Sequence, residues 1–444
     1  MELSNSLIVD FYELTMASVY YKDQIANSDS TFSLFVRSLP PNRNYLVAAG
    51  LQDILVWLEE FRFSEQDLHA LKQLGTFDDQ FLHWLSELTF TGNVRAVREG
   101  TLVFAGEPIL EIQAPLAQAQ LIETFLLNQI TLQTVLATKV SRLRHAAKDK
   151  ILMDFALRRT QGIDAGMKLT KISKMMGLNG TSNVMAGINY NFDLSGTMAH
   201  SFVQSYKSEK DAFEAYVRAF GKDAILLVDT FDPLTGIDQA IKTAKYFAQN
   251  GTFIRGIRID SGDLVALSNY ARQQFDKAGL NSLSIYVSGG LDEFSIDNLV
   301  RVQKAPIDGF GVGYSMGVSQ DAPVIDTVYK LVSLDGKPVG KTSPKKAVAP
   351  GEKQVWRSRD WSGDIITLSK ENLSYKSHYP LLEEVMTKGT RNKLAYISLD
   401  DINSYFERQW ETVPLDIKEF TKSFQYSITN SDSIEKLIKN NFPK

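Results

Sequence analysis

The stretch Phe253–Ile254–Arg255–Gly256–Ile257–Arg258–Ile259 runs directly into Asp260–Ser261–Gly262–Asp263. A largely apolar run that stops at acids, a hydroxyl and a glycine reads as a buried strand delivering polar groups to its C-terminal end. The same arrangement recurs on either side. Ala224–Ile225–Leu226–Leu227–Val228 ends in Asp229–Thr230, and Leu283–Ser284–Ile285–Tyr286–Val287 ends in Ser288–Gly289–Gly290. Gly309–Phe310–Gly311–Val312–Gly313 closes the series. The runs begin at 224, 253, 283 and 309, so the steps are 29, 30 and 26 residues, the length of a βα crossover. Helical patterns fill the gaps at 236–250, 264–278 and 292–304. Upstream, Ile151–Leu152–Met153–Asp154–Phe155–Ala156–Leu157 is a further apolar run ending in Arg158–Arg159, followed by a helical stretch near 164–177. Strands buried on both faces are continuously apolar, and βα barrels collect functional groups at strand C-terminal ends. The pattern predicts an α/β fold with a βα barrel over about 150–325, irregular because 180–225 breaks the period.

The flanking regions read differently. Residues 8–21 form an amphipathic opening helix, 31–37 alternate like a strand, and helical patterns continue to Leu88. Residues 93–113 read as three short strands joined at Glu99–Gly100 and Ala105–Gly106–Glu107–Pro108. A long helical run follows from Ala117 to about Lys148, with Leu121, Phe125, Ile130, Leu132 and Val135 on its apolar face. The expected organisation is an α+β N-terminal domain at 1–130, the catalytic barrel at 131–330, and C-terminal segments at 331–444 that pack back on the N-terminal domain. The last part includes a basic loop segment, Lys337–Lys353, and a mostly helical, charged tail from 399.

Composition narrows the function. With 44% hydrophobic and 23% charged residues the chain can bury a sizeable core, which argues against disorder. A net charge of −4 gives no electrostatic footprint for nucleic acid. There is no Cys, which excludes disulfides, thiolate metal sites and a cysteine nucleophile. No basic leader and no membrane-length apolar run is present, so a cytoplasmic location is expected.

The strand ends carry the chemistry. Two glycine clusters on successive ends, Ser288–Gly289–Gly290 and the one containing Gly311 and Gly313, offer backbone N–H groups to phosphate, although turns alone also need glycine. Asp229, Asp232, Asp260 and Asp263 can hold ribose hydroxyls or Mg²⁺, while Asp263 also suits a helix N-cap. Arg158, Arg159 and Arg258 supply planar donors for phosphate or carboxylate; for Arg158 a plain ion pair is an equal alternative. His200 lies in Ser195–Gly196–Thr197–Met198–Ala199–His200–Ser201, read as following a turn and a short strand at 189–194. By itself it reads as a hydrogen-bonded core histidine. The ensemble suits a phosphorylated sugar held with Mg²⁺. No G-x-G-x-x-G follows a first strand, so a nicotinamide dinucleotide does not fit, and no His or Cys cluster suggests zinc or haem.

Several segments in order resemble the nicotinate phosphoribosyltransferase family, with its type II phosphoribosyltransferase architecture. They are Asp10–Phe11–Tyr12–Glu13–Leu14–Thr15–Met16, Asp154–Phe155–Ala156–Leu157–Arg158–Arg159, Gly180–Thr181–Ser182–Asn183–Val184 and Ser195 to Phe202. Leu227–Val228–Asp229–Thr230, Arg258 to Leu264, Gly309 to Gly313 and Pro350–Gly351 through Val355 complete the set. The resemblance implies transfer of phosphoribose from 5-phosphoribosyl-1-pyrophosphate to nicotinate, the first step of NAD biosynthesis from nicotinate. It further implies coupling to ATP hydrolysis through a phosphohistidine at His200, with Mg²⁺ present. Asp229 and Asp260 would be catalytic, and Tyr12, Thr197 and Arg258 would line the nicotinate pocket. Arg158, Arg159, Ser288, Gly289, Gly290, Gly311 and Gly313 would bind the phosphoribosyl pyrophosphate. A homodimer is implied, with Tyr12 acting on the partner's barrel. The family's glycine loop commonly continues into Thr, where this chain has Tyr314, so Ser315 or backbone N–H groups would take over that contact. Alternatives are a nicotinamide or quinolinate phosphoribosyltransferase, or a sugar-phosphate-binding barrel without activity. Arg258 facing a carboxylate favours nicotinate over the neutral amide.

Overall fold

Apolar runs that cannot tolerate water on either face become parallel strands covered by helices. The computed structural model, which describes residues 3–340, 349–373 and 377–441, shows this for the barrel region. Six parallel strands form one curled sheet: Ile151–Asp154, Gly180–Thr181, Ile225–Leu227, Gly256–Ile259, Ser284–Ser288 and Gly309–Val312. Their spatial order places 180–181 at one edge, then 151–154, 309–312, 284–288, 256–259 and finally 225–227. Leu226, Ile257, Ile259, Ile285, Val287 and Val312 are fully buried. Helices Ile163–Met175, Pro233–Ala248 and Leu264–Lys277 provide crossovers.

Three local expectations change. The decisive strand starts at Gly256, so Phe253–Arg255 lie outside it, and Phe253 is 64% exposed. The region 189–194 contributes only a bridge from Leu194 to Thr181, next to an unforeseen helix, Val184–Asn189. His200 therefore does not end a strand: it opens a five-residue helix, His200–Gln204. The helix after Asp292 covers only Glu293–Asp297 before passing into a π-helical turn.

The chain divides into two compact units, residues 139–323 and residues 1–138 with 324–444. In the latter unit an antiparallel seven-stranded sheet joins distant segments. Thr327–Leu334 pairs with Asp29–Val36, and Leu382–Thr387 pairs with Asn93–Val97. Helices Phe11–Lys22, Leu51–Glu60, Glu65–Gln73 and Asp79–Ser86 belong to this unit, and Leu34, Ile54, Leu58, Phe81, Leu110 and Ile112 share its core. A second sheet there holds the buried Arg357, whose guanidinium meets Asp364 at 2.7 Å and Glu107 at 3.4 Å. The Thr342–Lys346 portion of the basic segment lies outside the described residues.

Candidate active site

The strand ends are wired to one another by their own side chains. Asp229, only 8% exposed, follows the strand Ile225–Leu227. Its Oδ2 accepts from the Asp260 backbone N–H at 3.0 Å and from the Ser261 hydroxyl at 2.7 Å. Its other oxygen is buried with no hydrogen-bond partner. Asp260 in turn accepts from the Ser288 hydroxyl of the next strand. Three successive strand ends are thus locked in register, and one bare carboxylate oxygen remains.

His200 joins this line from the helix it opens. Its Nδ1 lies 3.1 Å from Thr230 Oγ1, and its Nε2 lies 3.9 Å from Asp260 Oδ2. The imidazole is about two-fifths exposed, so it is not a sealed core histidine. Arg258 points out of its strand toward the same segment. Its Nη1 donates to Thr197 Oγ1 at 2.6 Å and its Nη2 to the Met198 carbonyl at 3.2 Å. Its Nε is buried without a partner. Burial lowers the pKa of Arg258, Asp260 and Asp229 oppose that, and Arg158 adds to it. A guanidinium held this way gains from meeting an anion. Beside it is a slot of about 20 Å³ with Phe155, Tyr286, Thr197 and Gly311 among its lining residues. It is water-sized as it stands, so a ring enters only when these side chains part.

The remaining residues fall around this centre. Arg158 and Arg159 are exposed on the turn Leu157–Arg159. That turn is anchored by Asp154, which is 1% exposed. Asp154 accepts from Ala156 N–H at 2.9 Å, Thr181 Oγ1 at 2.8 Å and Thr170 Oγ1 at 2.9 Å. Burial pushes its carboxyl above the usual range while these donors pull it back. Gly289 has φ +92°, and a Cβ there would sit 2.0 Å from the Asp260 carbonyl, so only glycine fits. Gly311 lies inside its strand, where a Cβ would fall 2.5 Å from the Phe155 ring. Its bareness serves packing of that ring. Gly290, φ +65°, and Gly313 have no such close neighbour. Asp232 and Asp263 act as helix N-caps: Asp232 accepts from Thr235 N–H at 2.8 Å, and Asp263 from Val265 and Ala266 N–H at 3.1 and 3.0 Å. The Ser315 hydroxyl does not stand in for the missing Thr at 314. It is buried and donates to the Leu291 carbonyl.

Comparison with known proteins decides the lineage. The nicotinate phosphoribosyltransferase N-terminal domain matches residues 7–131, and the nicotinate phosphoribosyltransferase family domain matches residues 151–360. The chain belongs to the nicotinate phosphoribosyltransferase family. It is 43% identical over 433 residues to nicotinate phosphoribosyltransferase pncB2 of Mycobacterium tuberculosis, covering 97% of this chain and 92% of that one. It is 40% identical over 396 residues to the Bacillus subtilis nicotinate phosphoribosyltransferase, covering 86% and 80%. Its fold matches the crystal structure of human nicotinic acid phosphoribosyltransferase with a TM-score of 0.87 and 25% identity, covering 99% of both chains.

Tyr12 lies in the unit containing residues 1–138, on the opening helix, 48% exposed beside Phe11 at 54%. Burial of its hydroxyl and the charges of Glu123, Glu13 and Asp10 raise its pKa. Its neighbour Glu13 is fully buried, accepts from Thr124 Oγ1 at 2.9 Å, and is pushed up to about 7, first by burial. Nothing in the sequence marks this beyond the residue's place in the opening motif. Because the folded state holds the proton more tightly, the resulting stability is full below about pH 4.5 and is lost as pH rises toward 7. Wild type should lose roughly 3 kcal/mol more than Glu13→Gln between pH 5 and pH 8 in urea denaturation. Parallel curves for the two proteins would contradict this.

Thr230 and Ser261, strand-end hydroxyls given no role of their own by the sequence, contribute contacts here, and Glu209, which no motif marks, adds a carboxyl. Burial, Asp232 and Asp229 raise the Glu209 carboxyl, and its Oε1 is buried without a hydrogen-bond partner. Among the described residues, no three acids or imidazoles form a metal cage by themselves, and no helix is long and apolar enough to cross a membrane.

Proposed function

We propose that this chain transfers the phosphoribosyl group of 5-phosphoribosyl-1-pyrophosphate to nicotinate, giving nicotinate mononucleotide for NAD synthesis. The observation that carries the reading is Arg258, bonded to Thr197, in the lining of a slot shared with Phe155, Tyr286 and Phe310, two residues before Asp260, which is interlocked with Asp229. The relatives' names support the same substrates. Nicotinate's carboxylate pairs with Arg258 in place of the Thr197 and Met198 contacts, and its ring lies between Phe155 and Tyr286. The pyridine nitrogen attacks the anomeric carbon. The C–O bond to pyrophosphate breaks, and its electron pair leaves with that group, so no general base is needed.

Positive charge develops on the ribosyl ring, and Asp260 and Asp229 face it. Gly289, Gly290, the backbone at Gly313 and the guanidiniums of Arg158 and Arg159 receive the phosphates. The bare buried Asp229 oxygen fits a cation. Asp229 and Asp260 would hold Mg²⁺ together with phosphate oxygens, the usual manner for this ion. Bound there, Mg²⁺ would neutralise charge on the leaving group.

ATP coupling rests on His200. With Nδ1–H donated to Thr230, Nε2 carries the lone pair and accepts the γ-phosphoryl group, releasing ADP; water later removes it as phosphate. Exposed Phe11 and Tyr12 suit burial by a second copy, which would place Tyr12 over the partner's slot.

The test is turnover with nicotinate and with nicotinamide, each with and without ATP. Nicotinate with Mg²⁺ should give the mononucleotide, faster with ATP, and nicotinamide should give little. His200→Asn should keep slow ATP-independent transfer but lose stimulation and coupled ATP hydrolysis. Wild-type hydrolysis by that variant would remove His200 from the role.

A further inference from the structure

Resting on the phosphate-site reading above, we infer that Lys139 is a positioning residue that sets the spacing of the two glycine turns. Lys139 and Arg142 are both 1% exposed, and no step of the proposed chemistry uses them. Lys139 Nζ pairs with Glu293 Oε2 and lies 2.7 Å from Asp321 Oδ1, while Arg142 Nε lies 2.7 Å from Glu293 Oε1. Glu293 stands three residues after Gly290, and Asp321 eight residues after Gly313. One ammonium therefore ties the segment behind the first glycine turn to the segment behind the second.

The surrounding contacts have the same direction. The Ser315 hydroxyl donates to the Leu291 carbonyl, joining the two segments a second time. Asp292 and Ser295 form a reciprocal cap: Asp292 Oδ1 accepts from Ser295 N–H at 2.8 Å, and Ser295 Oγ accepts from Asp292 N–H at 2.9 Å. In front, Gly289 rests on the Asp260 carbonyl. Burial pushes the Glu293 carboxyl up, but Lys139 and Arg142 hold it below the usual range, so it remains charged.

Burying two cations with their carboxylates is weak evidence for stability, since apolar side chains of similar volume often serve a core as well. What the ions add is direction. Lys139 has three N–H donors at one point, and its partners Glu293 and Asp321 lie on the segments behind different glycine turns, which fixes the distance between those segments. A phosphate group bound by backbone N–H groups from both turns depends on that distance, because hydrogen bonds weaken steeply outside a narrow range.

The experiment measures steady-state kinetics, melting temperature and calorimetric binding of 5-phosphoribosyl-1-pyrophosphate for wild type, Lys139→Met, Lys139→Arg and Asp321→Asn. Lys139→Met is expected to raise KM and Kd for the phosphoribosyl substrate roughly tenfold, to leave KM for nicotinate within about twofold, and to change kcat by less than about threefold. Lys139→Arg should recover most of the loss. Asp321→Asn, at the end of the bridge nearer solvent, should show a smaller loss of the same pattern and serves if Lys139→Met does not fold. Equal changes in both KM values, or a lower melting temperature with unchanged substrate binding in both variants, would overturn the inference. If wild type binds 5-phosphoribosyl-1-pyrophosphate but does not use nicotinate, the proposed function fails while the binding titrations still decide the role of Lys139. If wild type does not bind it, both fail.

Discussion

Arg258→Ala is expected to raise the KM for nicotinate by roughly 100-fold, the ~3 kcal/mol of a charge-assisted hydrogen-bonded pair. The KM for 5-phosphoribosyl-1-pyrophosphate should move only a few-fold. The reasoning is local. Arg258 is set among apolar strand residues, keeps one nitrogen without a partner, and spends its other two groups on Thr197 and Met198, neither of which is charged. A carboxylate is a stronger partner than either. Because Arg258 also holds the 197–198 segment, Thr197→Val is the control: it removes that contact but leaves the cation, and should cost nicotinate binding much less. Equal losses for both substrates in Arg258→Ala would place the guanidinium in the phosphate site.

The second large effect is on kcat. Asp260 lies at the meeting point of the site. Its N–H donates to Asp229, its carboxylate receives the Ser288 hydroxyl, and its other oxygen lies 3.9 Å from His200. With its backbone held by Asp229 and one carboxylate oxygen by Ser288, Asp260 is already placed when positive charge develops on the ribosyl ring. Asp260→Ala should lower kcat by about 10²–10³-fold, the usual range for removing one preorganised electrostatic group. The melting temperature should change little, because the backbone link to Asp229 survives. A kcat near wild type would show that Asp260 only braces Ser288.

How much of this could be read from the sequence depends on range. The barrel was legible because strands such as Ile225–Leu227 and Ser284–Ser288 are buried on both faces and recur at one period. The acids at 229 and 260 were legible because they directly follow such runs. The helix Val184–Asn189 was not, since it is six residues long and contains Gly187. That glycine is there for packing: a Cβ on it would fall 2.5 Å from Leu194. The setting of His200 went astray for the same reason, as a single bridge at Leu194 leaves no strand pattern to end. Asp154 draws its hydroxyl partners from positions 170 and 181, and Lys139 meets a carboxylate 154 residues away. No periodicity records such pairings. On the long helical run, Lys139 and Arg142 are buried although both are charged. Asp263 is the N-cap that its place before Leu264 suggested, whereas Asp232, read only as a strand-end acid, also serves as a cap.

The most direct measurement is ³¹P NMR of wild-type protein with 5-phosphoribosyl-1-pyrophosphate and Mg²⁺, recorded before and after adding nicotinate, with the pyridine product followed by ¹H NMR. Pyrophosphate should appear only after nicotinate is added, in step with nicotinate mononucleotide. Pyrophosphate released at the same rate without nicotinate, or no pyrophosphate at all, would contradict this.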